Sequence, residues 1–149
     1  MLNIASKILL HSFLSATLFA QTPFSLEQFS TAHIVVKSGS NKILDKYKTN
    51  IYKLLNEYAN DLNISTSRLS QRVLGVKIHL LKLTKELSII ELELYIHEPT
   101  LHMKDKEEVL SITYQNRSIF IANDIEEDIE DNLIILLEEF STQYEEDNE

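Results

Sequence analysis

A chain of 149 residues with 44% hydrophobic content is long enough for one domain with a real core and too short for two. Its net charge of −9 argues against nucleic acid, which needs clustered Lys and Arg, and against electrostatic docking on an anionic bilayer. With no cysteine there is no disulfide, thiolate metal site, thiol nucleophile or N-terminal lipid-modified Cys, and two glycines, Gly39 and Gly75, build neither a phosphate loop nor a nucleophile elbow.

Residues 1–20 read as a secretory signal peptide. Lys7 is the only charge before Glu27, an apolar run follows from Ile8 to Ala20, and Gln21-Thr22-Pro23 stops it. Ala20 suits the small residue before a cleavage site, so the mature chain is predicted to begin at Gln21. A spanning helix needs about 20 apolar residues. This run is shorter, so the expectation is no stable membrane span after cleavage and a periplasmic or secreted protein.

Residues 21–40 form an N-terminal arm and an edge strand. The polar stretch around Pro23, with scattered Phe24, Leu26 and Phe29, reads as a loosely docked arm. His33 to Lys37 is a β-branched run suited to an edge strand, and Ser38-Gly39-Ser40 supplies a turn and an N-cap. Residues 41–149 then make a single α+β domain with an acidic C-terminal tail.

Within that domain, Ile43, Leu44, Tyr47, Ile51, Leu54, Leu55, Tyr58 and Leu62 recur at spacings of three and four, the stripe of an amphipathic helix. Residues 69–98 carry two competing periods. A heptad reading takes Leu69, Val73, Val76, Leu80, Leu83, Leu87, Ile90 and Leu94, and makes a structural coiled-coil protein. A strand reading takes Val76, Ile78 and Leu80, then Ile90, Leu92, Leu94 and Ile96 against Glu91, Glu93, Tyr95 and His97. The strict second alternation and Gly75 favour two antiparallel strands turning near Thr84 to Ser88.

Pro99 is expected to end that strand and Thr100 to Glu108 to form a charged connection. Val109–Tyr114 and Ser118–Ala122 read as a hairpin around Gln115-Asn116-Arg117. Asp124 with Glu127 is a capping box for a last helix, whose stripe is Ile125, Ile129, Leu133, Leu136, Leu137, Phe140 and Tyr144. Its acidic end opposes the helix dipole and is expected to fray. The fold class is therefore α+β: a small antiparallel sheet of three to five strands covered on one face by two amphipathic helices.

No arrangement of residues spells catalysis. In His97-Glu98-Pro99-Thr100-Leu101-His102 the histidines lie at i and i+5, about 500° apart on a helix, so they cannot share a metal as the zinc-protease motif requires. Pro99 also disfavours helix at Glu98. A looser site from His79, His97 and His102 lacks an evident second shell. The carboxylate pairs Glu91/Glu93, Glu107/Glu108 and Glu138/Glu139 read as solvated, whereas acid–base work needs one member desolvated. The expectation is thus no catalytic residue, no cofactor and no metal. Asp61-Leu62-Asn63-Ile64-Ser65 holds an N-x-S sequon, which makes Asn63 a candidate glycosylation site after export.

The reading is a small exported, non-enzymatic module that binds protein, as an envelope accessory. Its first helix carries Lys42, Lys46, Lys48 and Lys53 and its last is strongly acidic, so either the two complement each other or the acidic helix receives a basic partner. The alternative is a periplasmic small-molecule or metal-binding domain using a sheet face with His79, Tyr95 and His97.

Overall fold

The computed structural model describes residues 25–39, 45–81 and 87–149. The elements are β1 (Thr31–Ser38), α1 (Asp45–Asp61), β2 (Ser65–Thr66), β3 (Val73–Leu80), β4 (Ser88–Leu101), β5 (Glu108–Ala122) and α2 (Ile125–Asn148). The fold is α+β, with a five-stranded sheet in the order β2-β1-β3-β4-β5. The signal peptide, the proposed start at Gln21, the Ser40 cap, Ile43 and Leu44 lie outside the described residues.

The sheet is mixed rather than purely antiparallel. β1 pairs parallel with both β2 and β3, while β3, β4 and β5 form an antiparallel meander. The parallel half follows from connectivity. A helical crossover, here α1, returns the chain in its original direction, whereas a short turn reverses it. β1 is an edge except at Thr31 and Ala32, where the two residues of β2 flank it.

The competing periods resolve as strands over Val73–Leu80 and from Ser88 onward, while most of the turn expected near Thr84 to Ser88 lies outside the described residues. Val76 faces Leu94, Ile78 faces Leu92 and Leu80 faces Ile90, which overturns the heptad and the coiled-coil reading. Two boundaries differ from expectation. β4 runs through Pro99 to Leu101, because β3 accompanies it only as far as His97 and proline is tolerated on such an unpaired edge. β5 is one strand of fifteen residues with no turn at Gln115-Asn116-Arg117; a register shift opposite Ile96/His97 is its one irregularity. Asn116 and Ser118 look like turn residues because their partners are remote: Asn116 donates to Glu139 and Ser118 Oγ to Asn132 Oδ1 at 2.7 Å, both on α2. The true hairpin turn is His102–Glu107, closed by His102 N–H to the Glu107 carbonyl at 2.8 Å.

The period of two places Ile34, Leu74, Val76, Ile78, Ile90, Leu92, Leu94, Ile96 and Tyr114 on one side of the sheet, all of them buried. Ile51, Leu55 and Ala59 of α1 and Ile129, Leu133, Leu136, Leu137 and Phe140 of α2 belong to the same apolar cluster. Phe140 meets Tyr114 edge-on with ring centroids 5.3 Å apart. We call this side of the sheet the core face.

The helix ends have identifiable chemistry. After α1, Asn63 adopts φ 58°, its N–H bonds to the Asn60 carbonyl, and Ile64 N–H reaches back to Ala59. That is the Schellman arrangement, with Ile64 buried beneath it. Asp124 caps α2 by accepting from Glu126 and Glu127 N–H, while the reciprocal partner is Asp128, whose carboxylate takes the Asn123 and Asp124 N–H groups, in place of the expected Glu127.

Two further expectations change at the far end of α2. The helix stays intact to Asn148 instead of fraying, and the segment before β1 is anchored rather than loose. Leu26 and Phe29 are buried in the core cluster. Asp147 accepts the Leu26 N–H at 2.6 Å, and the Asn148 side chain accepts from Gln28 N–H and donates to the Leu26 carbonyl. Arg72 Nη1 donates to the Gln28 carbonyl at 2.6 Å and holds the segment from its other side.

Candidate functional site

The second side of the sheet carries Tyr95 and His97, and its residues fall in cross-strand rows. One row runs His33–Val73–His97–Ile112, the next Val35–Gly75–Tyr95–Gln115, then Lys37–Lys77–Glu93–Arg117, and then His79–Glu91–Ile119. Tyr95 lies flat over Gly75: a Cβ there would fall 2.2 Å from Tyr95 Cζ, so only glycine admits the ring. This close approach explains why Tyr95 is only 3% exposed although it sits outside the main core cluster. His97 stacks obliquely against Tyr95 with centroids 4.7 Å apart.

Burial pushes the Tyr95 phenol up, and the Glu93 charge adds to it. The same effect acts with opposite sign on His97. Partial burial and then the Lys37 ammonium lower its pKa, while Glu93 works against them. The balance favours the neutral imidazole of His97 over Tyr95.

The three residues of the small-molecule reading are only partly brought together. Tyr95 and His97 touch, but His79 pairs with Glu91, six residues along β3 from the Val73–His97 pair, roughly 20 Å away at strand spacing. His33 is nearer, two strand spacings from His97 across Val73, roughly 10 Å. His102 sits in the exposed hairpin turn, with Nδ1 2.7 Å from Asp105, whose carboxyl it holds below the usual range. Among the described residues no group of three His, Asp or Glu side chains is arranged to hold a metal. Glu91 receives Arg117 Nη1 at 3.4 Å, and Glu107, Glu108, Glu138 and Glu139 are exposed.

The salient feature of this side is apolar. Ile119 is 65% and Ile121 55% exposed, with Leu81 at the neighbouring end of β3 and Ile112 farther down β5 also exposed. β5 pairs with β4 alone among the described residues, so its outer edge is free. The sequence shows Ser118–Ala122 as an apolar run, but which of its residues face away from the core requires the register with β4. Above that same edge runs α2, which contains no Lys or Arg and presents Asp131, Ile135 and Glu139 to solvent. Asn63 is exposed, and its left-handed backbone gives asparagine a structural reason to be there.

No protein-family model matches the chain, and no curated protein matches it in sequence. Among solved structures, it aligns with a minor lipoprotein from Acinetobacter baumannii at 12% identity and a TM-score of 0.26, over 77% of this chain and 88% of that one. A likeness at that level leaves the reading to the residues themselves. Among the described residues no helix is long and apolar enough to cross a membrane.

Proposed function

We propose that this is a small exported, non-enzymatic protein-binding module of the cell envelope, in which both helices cover the core face and the partner contacts the Tyr95 side of the sheet and its β5 edge. One observation carries the reading: Leu81, Ile119 and Ile121 are exposed on one side of the sheet, beside the outer edge of β5, which has no strand partner among the described residues. Soluble domains expose few contiguous apolar patches without an interaction to match, and a long free strand edge needs a partner or protection. Export is supported by the signal-like pattern of residues 1–20. A glycan on Asn63 would project from the end of α1, away from this surface.

The test is a photo-crosslinking amino acid placed singly at Ile119, at Ile112 and, as control, at Glu57 on the exposed side of α1, in cells that produce the protein. Adducts from the two β5 positions and none from Glu57 are expected, in the periplasmic or secreted fraction. Adducts from Glu57 alone, or protein that keeps residues 1–20 in the cytoplasm, would overturn it.

The second reading, a small-molecule site at Tyr95, is favoured by a single contact, the stacking of His97 on that ring. It is tested by chemical shifts of His97 during titration with aromatic and metal ligands.

A further inference from the structure

We infer that the β5 edge accepts an extended polypeptide segment in which aliphatic and basic residues alternate, added to the sheet as a sixth strand. The inference rests on the protein-binding reading above and names the chemistry of the partner. The carrying observation is that the two sides of one free edge differ. Toward the Tyr95 side the edge offers Ile119 and Ile121, both more than half exposed. Toward the core face it lies under α2, where Glu139 accepts from Asn116 of β5 and Asp131 and Ile135 stand exposed along the same helix.

A strand laid along residues 115–121 would place alternate side chains on these two surfaces. Those on the Tyr95 side meet Ile119 and Ile121, next to Arg117 whose charge is turned to Glu91, and gain by being aliphatic. Those beneath the helix meet Glu139 and Asp131 and gain by being Lys or Arg, whose methylene stems cover Ile135 while the charge reaches the carboxylates. β5 supplies the main-chain N–H and C=O groups that fix the register. Ser118 is held by Asn132 and Asn116 by Glu139, so the receiving strand is already ordered.

Charge also selects among occupants. A second copy paired edge to edge would bring two helices without a single Lys or Arg together. The chain's own apolar stretch 8–20 contains no Lys or Arg to meet them.

The experiment uses a blocked heptapeptide, acetyl-Lys-Val-Lys-Ile-Lys-Val-Lys-amide, and the isomer Lys-Lys-Val-Ile-Val-Lys-Lys of equal charge without the alternation. Amide exchange is followed by NMR in the protein expressed without residues 1–20. The alternating peptide is expected to protect β5 amides within 115–121 at least tenfold, and the isomer is not. The pair Ile119→Lys with Ile121→Lys is expected to weaken binding at least tenfold with unchanged circular dichroism, and Glu139→Gln about threefold. Equal binding of both peptides, or protection elsewhere, overturns the inference. Protection of β5 in concentrated protein alone also overturns it, in favour of self-pairing. Crosslinks from Ile119 in cells together with failure of the peptide would sink this inference alone; absence of crosslinks sinks the parent reading.

Discussion

Strand β4 divides the molecule into two chemistries a single residue apart. Ile90, Leu92, Leu94 and Ile96 are wholly buried on the core face, while Glu91, Glu93 and His97 are partly exposed on the other and Tyr95 is covered by its neighbours within the sheet. The core-face residues share one buried apolar cluster with side chains from two helices and the arm at Leu26 and Phe29. The Tyr95 side achieves its one buried ring by deleting a side chain, at Gly75. The buried apolar side chains therefore gather mainly on one side of the sheet, and the exposed ones, Ile119 and Ile121 among them, lie on the other.

The strongest way to break this comparison is to put the same charge on each side. Leu94→Asp, and likewise Leu133→Asp on α2, is expected to cost several kcal/mol and unfold the domain, because a buried carboxylate there has no partner. Ile119→Asp is expected to stay within about 0.5 kcal/mol of the parent. Urea melts that shift equally for Leu94→Asp and Ile119→Asp would erase the distinction between the faces.

Next in size is Gly75→Ala, which adds a methyl where the Tyr95 ring lies. A loss of about 1–3 kcal/mol is expected, as for overpacking elsewhere. In the Tyr95→Ala background the same substitution should cost much less, since the clash is gone. Additive losses in a double-mutant cycle would mean that the ring is not what requires glycine.

These contrasts also show what the sequence made legible. The alternation of Ile90 to Ile96 against Glu91 to His97 is a property of one strand, so the hairpin and its inward face were readable, as were the stripes of both helices and the Asp124 cap. What depends on pairing was not. Nothing local states that β1 lies parallel to β3, or that His79 and His97 stand at opposite ends of a shared face. Asn116 and Ser118 resemble a turn until Glu139 and Asn132 are placed above them. For the candidate site, Tyr95 and His97 were identified, but the exposure of Ile119 and Ile121 depends on which side of β5 the register turns outward.

A loss of about 1 kcal/mol is expected from Asp147→Ala, which removes the acceptor of the Leu26 N–H. Amide exchange at Leu26 should rise far more than at Leu94. Equal change at both would show that the arm and the sheet open together.

The smallest effects are electrostatic. Tyr114, on the core face, has its phenol pushed up to about 12, mainly by burial and further by the Glu139 charge. Its folded pKa exceeds the unfolded value near 10, so its contribution is complete below pH 10 and is lost as pH rises toward 12. Absorbance titration should find it ionising last, and Tyr114→Phe should abolish that step. His97 runs the other way. Its pKa is lowered on folding, so its contribution is present above the unfolded value near 6.5 and is lost as pH falls below it. His97→Gln should flatten the acid limb slightly, as read from melting temperatures between pH 5 and 7.5; an unchanged slope would contradict a lowered His97 pKa.

The bond between Leu26 and Asp147 joins residues 121 positions apart, which sets an order of events during biosynthesis. Leu26 is made early, yet Asp147 and Asn148, which bond to its main chain, follow only 121 and 122 residues later. Until then the Leu26 main chain lacks these partners, and the loop to be closed is long. A growing chain is thus kept from completing its fold until the last turn of α2 is made, and that turn acts as the latch. Trimming the final residues would leave every strand in place and still release that latch.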